Sequence, residues 1–234
     1  MPSMWVARVA IFALVGALAT GCSAHNAGHG VPDPDAPVVA FYGDSYTLGT
    51  GASDPSKRWS TVICAERGWT EVNPSVNGLG FVNHRNSDGP LPGQIVAGDP
   101  DLPGQVIAAE PDIVFVTMGL NDNFSYDAFG TAIRDQIVTD LTRLKDALPH
   151  ARFIVVEPFW YTDERPDSVA VIIGWVHDAA DAIGADWIPD ASHWIEGHPE
   201  WMASDGLHPN DAGYAAMATR MDDALTQVGL PANH

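Results

Sequence analysis

Apolar and polar positions along the chain fall into blocks whose period switches between that of a buried strand and that of a helix. Val38-Val39-Ala40-Phe41-Tyr42 is an unbroken apolar run, as in a strand covered on both faces. A helix is predicted around Trp59 to Arg67, a second strand at Trp69 to Val72 and a third at Asp112 to Thr117, with a glycine just beyond it. From Phe129 onward, Ile133, Ile137, Leu141, Leu144 and Leu148 recur at helical spacing until Pro149 ends the pattern. A fourth strand is expected at Arg152 to Val156, a helix at Ser168 to Ile183 closed by Gly184, and a short fifth strand at Asp186 to Ile188. A last helix runs from Asp211 to Val228, capped by Asn210 or Asp211. No internal repeat interrupts this order. Strands alternating with helices imply a parallel sheet with helices on both faces, and such sheets bind ligands beyond the carboxyl ends of their strands.

The N-terminal pattern is different. Arg8 precedes an apolar run from Val9 to Leu18, which is too short to span a bilayer comfortably and is the length of an export signal. It ends in Ala19-Thr20-Gly21-Cys22, which resembles the lipobox of bacterial lipoproteins, with Ala19 where leucine is more usual. Residues 1–21 are therefore expected to be a signal peptide, and Cys22 a lipidated N-terminus anchoring the protein to a membrane. Residues 22–36 lack apolar periodicity and are rich in small residues and proline, as in a flexible tether. Residues 37–230 remain as a single domain, a length that supports a full hydrophobic core. The only other cysteine, Cys64, lies in an apolar helical pattern and is read as a small buried hydrophobe. With 11 basic against 30 acidic residues, the formal net charge of −19 repels phosphate backbones and excludes nucleic acid as a partner.

Chemistry is to be sought just after each strand. The first strand runs into Gly43-Asp44-Ser45, where a tight turn sets a serine at a strand-to-helix corner beside a free backbone amide. After the second strand comes Asn73-Pro74-Ser75-Val76-Asn77-Gly78-Leu79-Gly80, whose glycines permit close backbone approach to a ligand. The third strand leads to Gly119-Leu120-Asn121-Asp122, where an asparagine amide can donate to a developing oxyanion. Near the C-terminus stands Asp205-Gly206-Leu207-His208-Pro209. Asp and His three residues apart fit one compact turn, in which the carboxylate fixes the imidazole tautomer and the other ring nitrogen acts as base. Pro209 keeps His208 out of the final helix.

In order and position these blocks resemble the SGNH, or GDSL-like, hydrolase family across nearly the whole domain. The resemblance implies a three-layer α/β/α sandwich around a mostly parallel five-stranded sheet, flavodoxin-like in build. It also implies Ser45 as nucleophile, with Asp205 and His208 completing a triad. The oxyanion donors would be Ser45, Gly78 and Asn121, with Gly80 as second choice for the glycine. The chemistry implied is acyl transfer from an ester to water, with no cofactor or metal required. An acyltransferase acting on an envelope glycan and a non-catalytic binding lipoprotein are the alternatives; a complete Ser45, Asn121, Asp205 and His208 set argues against the second. Trp160, Trp194 and Gly80 are expected to border the substrate, and the irregular stretch from Asn83 to Gly104 is expected to flank the acyl or alcohol pocket. The substrate is expected to be a small-molecule, lipid or glycan ester met at the cell envelope. Oligomeric state is not legible.

Overall fold

The computed structural model describes residues 35–85, 101–230 and 232. The segment expected to be an export signal, Cys22, nearly all of the expected tether and residues 86–100 of the irregular stretch lie outside the described residues. Five strands form one parallel sheet: β1 (Val38–Gly43), β2 (Thr70–Val72), β3 (Ile113–Thr117), β4 (Arg152–Val156) and β5 (Asp186–Ile188). Their order is β2-β1-β3-β4-β5. The central pair is in register from Val39 opposite Ile113 to Gly43 opposite Thr117, so β1 and β3 end side by side. Among the described residues, six α-helices connect and cover the sheet: α1 (Ser45–Leu48), α2 (Trp59–Arg67), α3 (Leu102–Ala108), α4 (Tyr126–Ala147), α5 (Asp167–Ala182) and α6 (Asp211–Gln227).

The strand pleat sorts the core into two layers. Val39, Phe41, Phe115, Ile154 and Ile188 face α2 and α6, where they meet Trp59, Ile63, Met217, Met221 and Leu225. Ala40, Tyr42, Val114, Val116, Phe153 and Val155 face the other way, onto Val106 of α3, Ile133, Ile137, Leu141 and Leu144 of α4, and Val176 of α5. Strands buried on both faces must be apolar at every position, hence the continuous runs in the sequence. Aromatic packing stiffens the first layer: Phe41 and Phe115 stack with ring centroids 5.1 Å apart, and Trp59 meets Phe41 edge-on at 5.5 Å.

The three-layer architecture and the parallel sheet are as the sequence implies. Two local features differ. The helix predicted at Trp59 to Arg67 is α2, but between it and β1 stands one further turn, α1, which the pattern did not show and which Gly49 closes at once with φ +88°. The stretch expected to be irregular up to Gly104 contains the start of α3. There Asp101 caps the helix by accepting from the Gly104 amide at 3.3 Å, and Pro103 sits in the first turn, where its missing N–H costs nothing. Of the two cap candidates for α6, Asn210 takes the role, its side chain accepting from the Ala212 and Gly213 amides.

Candidate active site

The corner after β1 is tightly specified. A Cβ on Gly43 would lie 2.5 Å from Thr117 Oγ1 and 2.6 Å from Thr47 Cβ, so only glycine lets α1 start against β3. Asp44 is buried, and its Oδ1 accepts from the Tyr46 amide at 3.0 Å, capping α1. Ser45 is the first residue of that helix and is 4% exposed. First-turn amides have no helical acceptor, and the Ser45 N–H has no partner among the described residues.

Tyr46 joins this corner to the C-terminal turn. Its hydroxyl donates to Leu207 O at 2.7 Å, and its ring lies 6.1 Å from the His208 imidazole. Trp59 holds Tyr46 from below, donating from Nε1 to the Tyr46 carbonyl at 3.1 Å. Within the turn, Asp205 Oδ1 accepts from the Leu207 and His208 amides at 2.9 and 3.0 Å, and Oδ2 lies 2.7 Å from His208 Nδ1. The bond from His208, then the two amide bonds, hold the Asp205 carboxyl down at about 2, so it only accepts. Nδ1 must then carry the proton, which leaves Nε2 as the basic nitrogen. Among the described residues no hydrogen bond joins Ser45 Oγ to His208.

Gly78, after β2, adopts φ +72°, and a Cβ there would strike His84 Nδ1 at 2.7 Å. Its carbonyl accepts from Asn83 Nδ2 at 2.9 Å, while its N–H has no partner among the described residues. Gly80 differs: its N–H donates to Asn83 O at 3.0 Å, and a Cβ there would meet Asp122 Oδ2 at 2.5 Å. Gly80 therefore serves loop packing, which corrects its assignment as a substrate contact and favours Gly78 as the donor glycine. Asn121 Nδ2 donates to Leu79 O at 2.9 Å and to Asp44 Oδ2 at 3.2 Å. The Leu79 carbonyl can only accept, which fixes the amide's orientation. An oxyanion drawing on this amide must share or displace the longer bond.

Two buried carboxylates complete the arrangement, and their roles are not legible in the sequence. Asp44 links the serine corner to Asn121. Asp122 accepts from the Phe81, Val82 and Asn83 amides at 2.7, 2.8 and 3.2 Å, clamping the loop that carries Gly78. Burial, the dominant cause, pushes Asp44 up to about 7 and Asp122 to about 6. The available signal was position: each aspartate adjoins a chemically competent residue, Ser45 or Asn121, directly after a buried strand.

The aromatic assignments need correction. Trp160 is 3% exposed, with Nε1 bonded to Thr162 Oγ1 and Glu164 O, and Trp194 is 6% exposed and packed on Phe159 at 5.8 Å. Their bulk is consumed by the core, and neither offers a face to a ligand. Phe124 is the exposed ring, at 57%, stacked on Trp160 and adjoining Tyr161. Cys64 is buried as expected, and burial pushes its thiol far above the usual range, so it is no nucleophile. Among the described residues no group of three or more His, Cys, Asp or Glu side chains is placed to hold a metal ion.

The sequence profile of the GDSL-like lipase/acylhydrolase family matches residues 41–216, well over half the chain. The chain belongs to the GDSL-like lipase/acylhydrolase family. Like other members it is a serine ester hydrolase. It is 29% identical over 190 residues to the GDSL lipase Rv0518 of Mycobacterium tuberculosis, covering 78% of this chain and 79% of that protein. Among solved structures, the psychrotrophic esterase EstA from Pseudoalteromonas sp. superimposes with a TM-score of 0.61 at 14% identity, over 82% of this chain and 98% of that one. TesA gives a TM-score of 0.64 at 16% identity, over 82% and 99%. At these identities the structures attest the fold, and the GDSL-like profile attests the family.

Proposed function

We propose that Ser45, His208 and Asp205 form the triad of a carboxylic ester hydrolase, with the oxyanion held by the Ser45 and Gly78 amides and the Asn121 side chain. The observation that carries this reading is the Asp205–His208 bond, which leaves Nε2 basic on a turn tied to the residue beside Ser45. His208 Nε2 takes the proton from Ser45 Oγ, which attacks the ester carbonyl carbon. Collapse of the tetrahedral intermediate breaks the bond to the alcohol oxygen, and His208 returns its proton to that oxygen. Water then repeats the sequence on the acyl-serine and releases the acid. A serine–imidazole bond that forms only with substrate in place is ordinary for such sites. The test is covalent labelling with a fluorophosphonate followed by peptide mass spectrometry. The adduct is expected on Ser45 and is expected to vanish in Ser45→Ala; an adduct on any other residue refutes the assignment.

The proposal extends to location. The apolar run from Val9 to Leu18 and the following Ala19-Thr20-Gly21-Cys22 support export and a lipid anchor on Cys22. The enzyme would then act on esters of the cell envelope. Protein extracted from its native membranes is expected to begin at an acylated Cys22. A mature N-terminus elsewhere, or an unmodified Cys22, overturns the anchor.

A further inference from the structure

A cleft of about 670 Å³ opens beside the Asp205–His208 turn, between the loop after β4 and the segment after β5, with Tyr161, Asp163, Glu164, Ile195, Met202 and Gly206 among its walls. It adjoins the site on two sides. Gly206 lies within the turn that carries His208. Tyr161 adjoins the exposed Phe124, ring centroids 6.4 Å apart, and Phe124 shares a single 3-10 turn with Asn121. The oxyanion donors come from the ends of β1, β2 and β3, whereas this cleft stands at the ends of β4 and β5, on the side of the C-terminal turn. His208 must protonate the departing alcohol, so the alcohol has to lie against that turn while the carbonyl oxygen points away from it.

The lining is amphipathic. Ile195 is buried, Met202 and Tyr161 pack on the core, and together they give an apolar floor. The rim is polar, with the Asp163 and Glu164 carboxylates beside Thr162, Ser204 and the His198 imidazole. Asp163 Oδ1 accepts from the Gly197 amide at 2.9 Å, while its other oxygen and the Glu164 carboxylate have no partner among the described residues. Arg165, the cation of this loop, is already committed to Asp163 O, Ser192 O and Glu196. A fatty alcohol would desolvate the carboxylates with nothing to pair them. A phosphate-bearing alcohol would meet them as like charges on a protein of net charge −19. A ring with an apolar face and donor hydroxyls at its edge satisfies both floor and rim. We infer that this cleft receives the leaving alcohol of the ester and that the alcohol is a neutral, polyhydroxylated ring of the sugar type.

The inference rests on the Ser45–His208 reading, and the experiment separates the two. Wild type and Tyr161→Ala are compared on mono-O-acetylated methyl glucopyranoside and methyl xylopyranoside, on hexyl acetate, and on nitrophenyl esters of increasing acyl length. Asp163→Ala serves as a second variant in case the first fails to fold. The kcat/KM ratio of sugar acetate to hexyl acetate is expected to favour the sugar in wild type and to fall about tenfold in either variant, the equivalent of one lost contact of about 1.4 kcal/mol. The order of preference for acyl length is expected to stay unchanged. An unchanged ratio, or a shift in acyl-length preference instead, overturns the inference by making the cleft inert or the acyl side. A wild type that hydrolyses nitrophenyl acetate but no sugar acetate also overturns it and leaves the triad intact. Absence of any ester turnover, with no label on Ser45, overturns the triad reading and with it the inference.

Discussion

Replacing Ser45 or His208 by alanine is expected to lower kcat on a nitrophenyl ester by about 10⁶-fold, and replacing both is expected to cost no more than either alone. A serine hydroxyl is a poor nucleophile until a base takes its proton, so each side chain is worth little without the other. Asp205→Asn is expected to be milder, with a loss of about 10⁴-fold. The substituted amide presents a donor or a weaker acceptor to Nδ1, and the imidazole loses its reason to keep the proton there. The Asp205 carboxyl, held at about 2 by its bonds to His208 and the turn amides, stays charged throughout any practical assay, so it contributes no acid limb to the rate profile. Its depressed value makes a stabilising contribution that is complete above the ordinary carboxylate value of about 3.9 and disappears as pH falls toward 2. With the side chain 48% exposed, water screens that contribution and keeps it small. The check is steady-state kinetics on the four variants across pH. Multiplicative losses in the Ser45/His208 double variant, or His208→Ala within tenfold of wild type, would show that the two side chains do not act together.

How much of this was readable from the chain follows from the reach of local rules. Strands buried on both faces announce themselves as apolar runs, and β1, β3, β4 and β5 lie within one residue of their predicted bounds. The Asp205–His208 pairing was also legible, because three residues fit one turn and the partners are near in sequence. What failed is what depends on distant partners. Asp44 reads locally as a helix cap, and it is one. Its second oxygen, however, meets Asn121 across 77 positions, and no spacing rule reports that. Asp122 reads as a turn residue, yet its carboxylate is spent on amides about 40 positions upstream. Trp160 and Trp194 were placed at the right end of the sheet, but sequence position says nothing about which face of an indole the core has already taken. All of α3 was missed, its start hidden by Pro103 and Gly104, which mark loops in general but are tolerated in a first helical turn.

Asp44→Asn, a change of one atom, is expected to lower kcat by about 10²-fold with little change in KM. The carboxylate accepts twice: Oδ1 caps α1 through the Tyr46 amide, and Oδ2 receives Asn121 Nδ2. If the substituted carboxamide keeps the cap, its NH₂ faces the NH₂ of Asn121, donor against donor. Asn121 can relieve that only by turning its own oxygen inward or by moving away. Either response takes the proposed oxyanion donor out of place and harms the transition state more than the bound ester, so the loss is expected to fall on kcat. Asp44→Glu, which restores an acceptor, is expected to recover part of the rate. Stability carries an independent signature. Burial pushes the Asp44 carboxyl to about 7, well above its ordinary value of about 3.9. The folded chain therefore holds a proton that the unfolded chain has released between about pH 4 and pH 7. Stability must fall as pH rises through that window. Asp44→Asn removes this group from the titration, so the slope of unfolding free energy against pH is expected to flatten there, while Asp122, pushed up to about 6, maintains the remainder. Urea unfolding at several pH values, paired with kcat and KM, reads both effects. A variant with wild-type kcat would mean that Asn121 keeps its orientation without the carboxylate, and an unchanged pH slope would mean that Asp44 is no more easily protonated folded than unfolded.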